Sequence, residues 1–148
     1  MLRQALLLLA RSQNAKTVVT RMPVSSSLVN RYVPGEETGD AVAASRRLID
    51  DGLHVTLDFL GEDTLDQAQA EATVEAYLEL LEALGSAGLA RNAEVSVKLS
   101  AIGQALPEVG PKLSEENARR ICRAARDVGT TVTLDMEDHT TTDHTLAT

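Results

Sequence analysis

The chain has 148 residues, 43% of them hydrophobic and 24% charged, which suits one domain, or part of one, with a core and excludes a disordered composition. A formal net charge of −8 excludes nonspecific binding to nucleic acid, because phosphate contact needs clustered Lys and Arg. A single cysteine, Cys122, excludes a disulfide framework and a cysteine-rich zinc site, and points to a reducing compartment.

Residues 1–12 open on an apolar run, Ala5 to Ala10, shorter than the roughly 7–15 residues of a secretory leader. It is also far short of the roughly 20 residues of a membrane span. The run reads as an amphipathic helix packed on the rest, with a targeting segment as the alternative. Pro23 breaks the basic stretch that follows, and Ser25–Ser27 cap a short helix through Leu28, Val29, Arg31 and Tyr32. Thr38 is expected to cap a longer helix whose inner face carries Ala41, Val42, Ser45, Leu48 and Ile49, with Gly52 as its stop. Residues 1–52 are thus an N-terminal helical segment.

Three stretches then alternate with period two, the strand period: 53–59, 95–100 and 131–137. Their apolar sets are Val55, Leu57 and Phe59; Val95, Val97 and Leu99; Val132, Leu134 and Met136. Their polar sets are Thr56 and Asp58; Ser96, Lys98 and Ser100; Thr133, Asp135 and Glu137. Between the first two strands, Thr64 and Gln67 form a capping box for a long helix that buries Val74, Tyr77, Leu78, Leu81 and Leu84. A long connection from Ala101 to Leu113 follows the lysine strand, and long loops often line a site. Ser114 is expected to cap the next helix, with Ala118, Ile121, Cys122, Ala125 and Val128 inward and Cys122 a small core residue. A threonine-rich tail, Thr140 to Thr148, ends the chain.

Strand, loop and helix therefore repeat with a period of about 38 residues, which predicts parallel strands with right-handed crossovers. A doubly wound sheet would show near-continuous apolar strands. One polar face on all three strands instead predicts the α/β class in the form of a partial (βα)8 TIM-type barrel over residues 53–148. Such a barrel needs eight units and typically about 250 residues. With three strands and two complete crossovers, the chain is expected to be truncated on its C-terminal side, leaving the third strand with a bare edge.

Lys98 is the sharpest residue, since a lysine in an apolar strand is costly unless paired. It reads either as a snorkelling or edge-strand lysine, or as an anion clamp or proton-active amine. Asp135 and Glu137 share one face of the third strand and Asp58 holds the matching place on the first. They could hold Lys98, act as acid and base, bind a metal, or cap loops at strand ends. The cluster Glu137, Asp138, His139, Asp143 and His144 has metal-ligand residue types without a closed zinc spacing. No dinucleotide fingerprint, nucleotide-triphosphate loop or Gly-x-Ser-x-Gly elbow occurs.

Four motifs in order, Arg31–Glu36, Leu57–Glu62, Val95–Ala101 and Val132–Asp138, resemble the proline dehydrogenase (proline oxidase) family. The resemblance implies a flavin-dependent barrel that oxidises L-proline to pyrroline-5-carboxylate, passing hydride to FAD and electrons on to a membrane quinone. It implies that Lys98 helps hold the proline carboxylate beside the flavin. Asp135 would organise the site around that lysine and the cofactor. Glu62 would ion-pair with a substrate-binding arginine as the site opens and closes. It further implies that the family's paired arginines and most of its flavin-binding residues lie beyond Thr148, so the chain alone would bind FAD weakly or not at all and would not turn over. The implied location is the cytoplasm, or the periphery of the inner face of the membrane. Two alternatives stand beside this: a non-catalytic piece that pairs its open edge with a chain supplying the missing strands, and a fragment of a metal-dependent barrel enzyme using Asp135, Glu137 and His139.

Overall fold

A computed structural model of the chain describes residues 34–35, 37–60, 64–136, 139 and 141–148. The helix expected over residues 1–12, the short helix through Tyr32, and the residues Arg31, Glu62, Glu137 and Asp138 lie outside the described residues. The chain divides into two units, Met1–Glu36 and Glu37–Thr148, and all the elements that follow lie in the second.

In chain order these are α1 (Thr38–Asp50), β1 (Val55–Asp58), α2 (Gln67–Ser86), β2 (Ala93–Lys98), a 3₁₀ turn (Ser100–Ile102), α3 (Gly110–Val128), β3 (Val132–Asp135) and α4 (Thr142–Ala147). The strands form a parallel sheet in the order β1-β2-β3. The α/β class and the parallel pairing follow the period-two reading. β2 starts two residues earlier than expected, at Ala93, and ends at Lys98 because Leu99 turns into the 3₁₀ helix.

The apolar strand set faces the helices. Ala93, Val95 and Val97 on the central strand are buried against a cluster that includes Val74, Tyr77, Leu81 and Leu84 of α2 and Ala118, Ile121 and Ala125 of α3. Ala41, Val42 and Ile49 of α1 pack partly buried on the same cluster, so α1 belongs to the unit that holds the sheet. The polar strand set points to the other side, where Thr56, Asp58, Thr131, Thr133 and Asp135 are exposed.

The helix starts correct the capping expectations. α1 begins at Thr38 itself, with Glu37 at the cap position and no side-chain cap bond. α2 is capped by Asp66, whose carboxylate accepts from the Gln69 N–H at 2.8 Å. Thr64 is buried and donates its hydroxyl to the Ala101 carbonyl at 2.8 Å, tying the β1 loop to the β2 loop. α3 starts at Gly110 with Pro111 in its first turn, where proline's missing N–H is no loss. Ser114 is therefore inside the helix, past its first turn, donating to the Pro111 carbonyl. Cys122 is exposed, not core: it sits one position past Ile121, about 100° round the helix. Asn117 takes the inward place, its amide donating to the Ile102 carbonyl at 3.1 Å. The threonine-rich tail is helical over Thr142–Ala147.

Candidate functional site

The site is built by register. Parallel pairing sets Asp58 of β1 opposite Ser96 of β2, and Lys98 of β2 opposite Asp135 of β3. All four belong to the face that the helices do not cover, at the carboxyl ends of the strands. The Lys98 ammonium donates to Asp58 Oδ2, and Asp135 Oδ2 lies 3.7 Å from it. The lysine is thus held between carboxylates from both neighbouring strands. Its side chain is 22% exposed, against 32% for Asp58 and 48% for Asp135, so the cation is the most shielded of the three.

Below this trio, toward the amino ends of the strands, lies a carboxylate held by hydroxyls. Glu94 accepts from the Thr131 hydroxyl at 2.8 Å, from Thr56 at 3.1 Å and from Thr133 at 3.4 Å. These hydroxyls favour the charged form and hold its pKa below the ordinary carboxylate value. Reading the strand from Val95 missed Glu94. The signal was present, since Glu94 is in phase with Ser96 and Lys98.

Tyr77 was assigned only to the core. It is fully buried on α2, with its ring edge-on to Phe59 at 6.1 Å between centroids. Its hydroxyl emerges at the trio: it lies 2.7 Å from the Ser96 carbonyl, 3.2 Å from Asp58 Oδ1, and accepts from the Phe59 N–H at 3.2 Å. Burial is the main reason its pKa is pushed well above that of a free phenol, and the neighbouring Asp58 charge adds to the effect.

Of the residues singled out from sequence, Lys98, Asp58 and Asp135 come together. Glu62 and Glu137 lie outside the described residues, and among the described residues no group of three His, Cys, Asp or Glu is placed to hold a metal. Nor is any helix among them long and apolar enough to cross a membrane.

The chain is similar to "Proline dehydrogenase" of Deinococcus radiodurans, 40% identical over 120 residues, covering 81% of this chain and 38% of that protein. It is 32% identical over 151 residues to "Proline dehydrogenase 1" of Bacillus subtilis, covering 99% of this chain and 47% of the relative. The chain thus spans less than half the length of these two relatives. Among solved structures it matches proline utilization A from Bdellovibrio bacteriovorus, inactivated by N-propargylglycine. The TM-score is 0.73 at 22% identity, over 90% of this chain and 16% of that one, a likeness of fold. The family model for proline dehydrogenase matches residues 41–148, the stretch that holds the sheet, its helices and the Lys98 trio, and the chain therefore belongs to the proline dehydrogenase family.

Proposed function

We propose that this chain is the part of a flavin-dependent proline dehydrogenase barrel that carries the substrate-side lysine, with Lys98 meeting the carboxylate of L-proline and Asp135 and Asp58 holding it in place. The supporting observation is the Lys98 ammonium between carboxylates of both neighbouring strands, on the uncovered face and at the strand ends where barrel enzymes carry their chemistry. A carboxylate substrate needs a partly desolvated cation, and that cation needs anionic partners to be tolerated there. Residues 53–148 would form the first three strands of the barrel and residues 1–52 a helical lead-in.

The charge count supports the view that this chain needs more of the protein to act. One ammonium against two carboxylates leaves the trio at −1, which does not attract an anion unaided. Further cations must converge on the site, and Glu62 would steer one of them. On this reading the chain alone has no proline-dependent turnover. The residue types fit a flavin as well, since an ammonium and strand-end hydroxyls can donate to its ring oxygens and nitrogens. When bound, FAD would accept the hydride from proline and pass electrons to a quinone acceptor. The chain's own residues bind the carboxylate, fix the substrate's orientation and hold Lys98 in place. A cytoplasmic location belongs to the same proposal.

The test is a chimera in which residues 41–148 replace the matching segment of the Deinococcus radiodurans relative. Proline-dependent dye reduction is expected to survive in the chimera and to fall by at least about 100-fold with Lys98→Met, the range for losing a charged contact to a desolvated group. A folded, yellow Lys98→Met chimera as active as its parent would sink the assignment.

A further inference from the structure

The geometry points to Tyr77 as a positioning residue: its hydroxyl replaces one rung of the β1–β2 ladder and so fixes where Asp58, and through it Lys98, must sit. Rungs between parallel strands recur every two residues. The Val55 N–H bonds the Asn92 carbonyl at 3.0 Å, so two repeats further along the Phe59 N–H should face the Ser96 carbonyl. The Tyr77 hydroxyl stands between that donor and that acceptor, taking the Phe59 N–H and giving its own proton toward the Ser96 carbonyl at 2.7 Å. Both ladder groups stay satisfied, yet the strands are bridged by an oxygen rather than joined directly.

The consequence falls on Asp58, the last residue of β1. Its Oδ1 lies 3.2 Å from the same hydroxyl while its Oδ2 takes the Lys98 ammonium. The phenol has a single proton, so Ser96 at the shorter distance holds most of it and Asp58 shares the remainder. The carboxylate is thereby held at both oxygens, by a rigid buried ring on one side and the lysine on the other. Tyr77 can do this because its ring is anchored in the core, fully buried and braced edge-on by Phe59. The burial that raises its pKa also keeps it neutral, so it remains a donor across the ordinary pH range.

This inference rests on the proposed role of Lys98 for its meaning in catalysis, but its test involves neither proline nor flavin and so can fail separately. The chain has three lysines, Lys16, Lys98 and Lys112, so the ammonium signals of a ¹⁵N-lysine-labelled full chain can be assigned with Lys98→Met. In the Tyr77→Phe chain the ring packing stays and only the oxygen goes. The side-chain order parameter of Lys98 is expected to fall to that of exposed Lys112. Leu84→Ala, a core change that lowers stability without touching the rung, is expected to leave Lys98 at its parental value. An unchanged Lys98 in Tyr77→Phe, or an equal loss in Leu84→Ala, would overturn the inference. Should Tyr77→Phe fail to fold, the parent chain decides: a slowly exchanging phenolic proton with a cross-peak to the Phe59 amide supports the bridge, and a rapidly exchanging one overturns it.

Discussion

Gly110→Ala adds one methyl group where β2's loop closes onto α3. A Cβ there would stand 2.2 Å from the Gln104 carbonyl oxygen, 2.8 Å from its carbon and 3.0 Å from the Gly103 carbonyl oxygen. Ordinary C···O contacts begin near 3.3 Å, so the loop or the helix start must move by about 1 Å. Both obstacles are backbone, and the loop cannot swing aside, because Gly103 is itself closed in by Leu113 and Ala70. Overpacking of this kind costs about 1–3 kcal/mol and occasionally more. The helix-propensity gain of alanine is small at a first helical position, so a net loss of about 3 kcal/mol is expected. Urea unfolding followed by circular dichroism measures it, with Gly39→Ala as the internal control. Gly39 is also near a helix start but has nothing within 4 Å of its would-be Cβ, so alanine there should gain about 0.5 kcal/mol. Gly110→Ala within 0.5 kcal/mol of the parent, on the order of measurement error, would refute the packing of the β2 loop on α3.

The other predictions concern single groups. Glu94 has a lowered folded pKa, so its stabilising contribution is present above the unfolded carboxylate value and is lost as pH falls through the folded one. Glu94→Gln should flatten the acid limb of stability against pH. Tyr77 has a raised folded pKa, so its contribution is present below the free phenol value and is lost as pH rises past it. Spectrophotometric titration should find its phenolate appearing only together with unfolding. Cys122 should react with a thiol reagent in the native chain without denaturant, and slowly near neutral pH, since partial burial raises its thiol pKa. Thr64→Val should cost about 1–2 kcal/mol in thermal melts by leaving the Ala101 carbonyl without its buried donor.

How much was readable before the fold was known follows from what each signal encodes. Period two on β-branched residues encodes which face a side chain takes, so the apolar and polar sets of the three strands were legible, and with them the sheet and the side of Lys98. Register is not encoded locally. That Asp58 meets the ammonium most closely, and that Glu94 collects hydroxyls from Thr56, Thr131 and Thr133, depends on strands 37 to 40 residues apart in sequence. Helix starts were misplaced for a different reason. Thr38, Thr64 and Ser114 all have capping chemistry, but a hydroxyl has several possible partners, and those of Thr64 and Ser114 are used on other carbonyls. Asp66 and Pro111 were the better markers. Cys122 was assigned to the core from its place in the apolar stripe with Ala118, Ile121 and Ala125, but it stands at the edge of that stripe and is exposed. Tyr77 carried no local sign of a role beyond packing, because its hydroxyl acts on backbone from β1 and β2 at once.

The polar face has an order from bottom to top that bears on where an anion can be received. In the lower layer Glu94 is satisfied by hydroxyls from both sides and needs no cation. In the upper layer Asp58 and Asp135 share one ammonium. Among the described strand residues this face carries three carboxylates and one lysine, so an incoming carboxylate is repelled from below and drawn to Lys98, near the strand ends. Glu94 lies four residues down the strand from Lys98, about 13 Å, beyond the screening length of about 8 Å in physiological salt, so its repulsion is felt mainly at low ionic strength and biases rather than excludes. Replacing Glu94 by Gln should therefore leave the geometry at Lys98 intact while easing the approach of an anion. In the chimera described above, that predicts a lower KM for proline with little change in kcat, and a difference that shrinks as salt is raised. A KM that rises instead would mean that Glu94 holds the upper layer in place, and that the hydroxyl-bound carboxylate supports the site mechanically rather than through its charge.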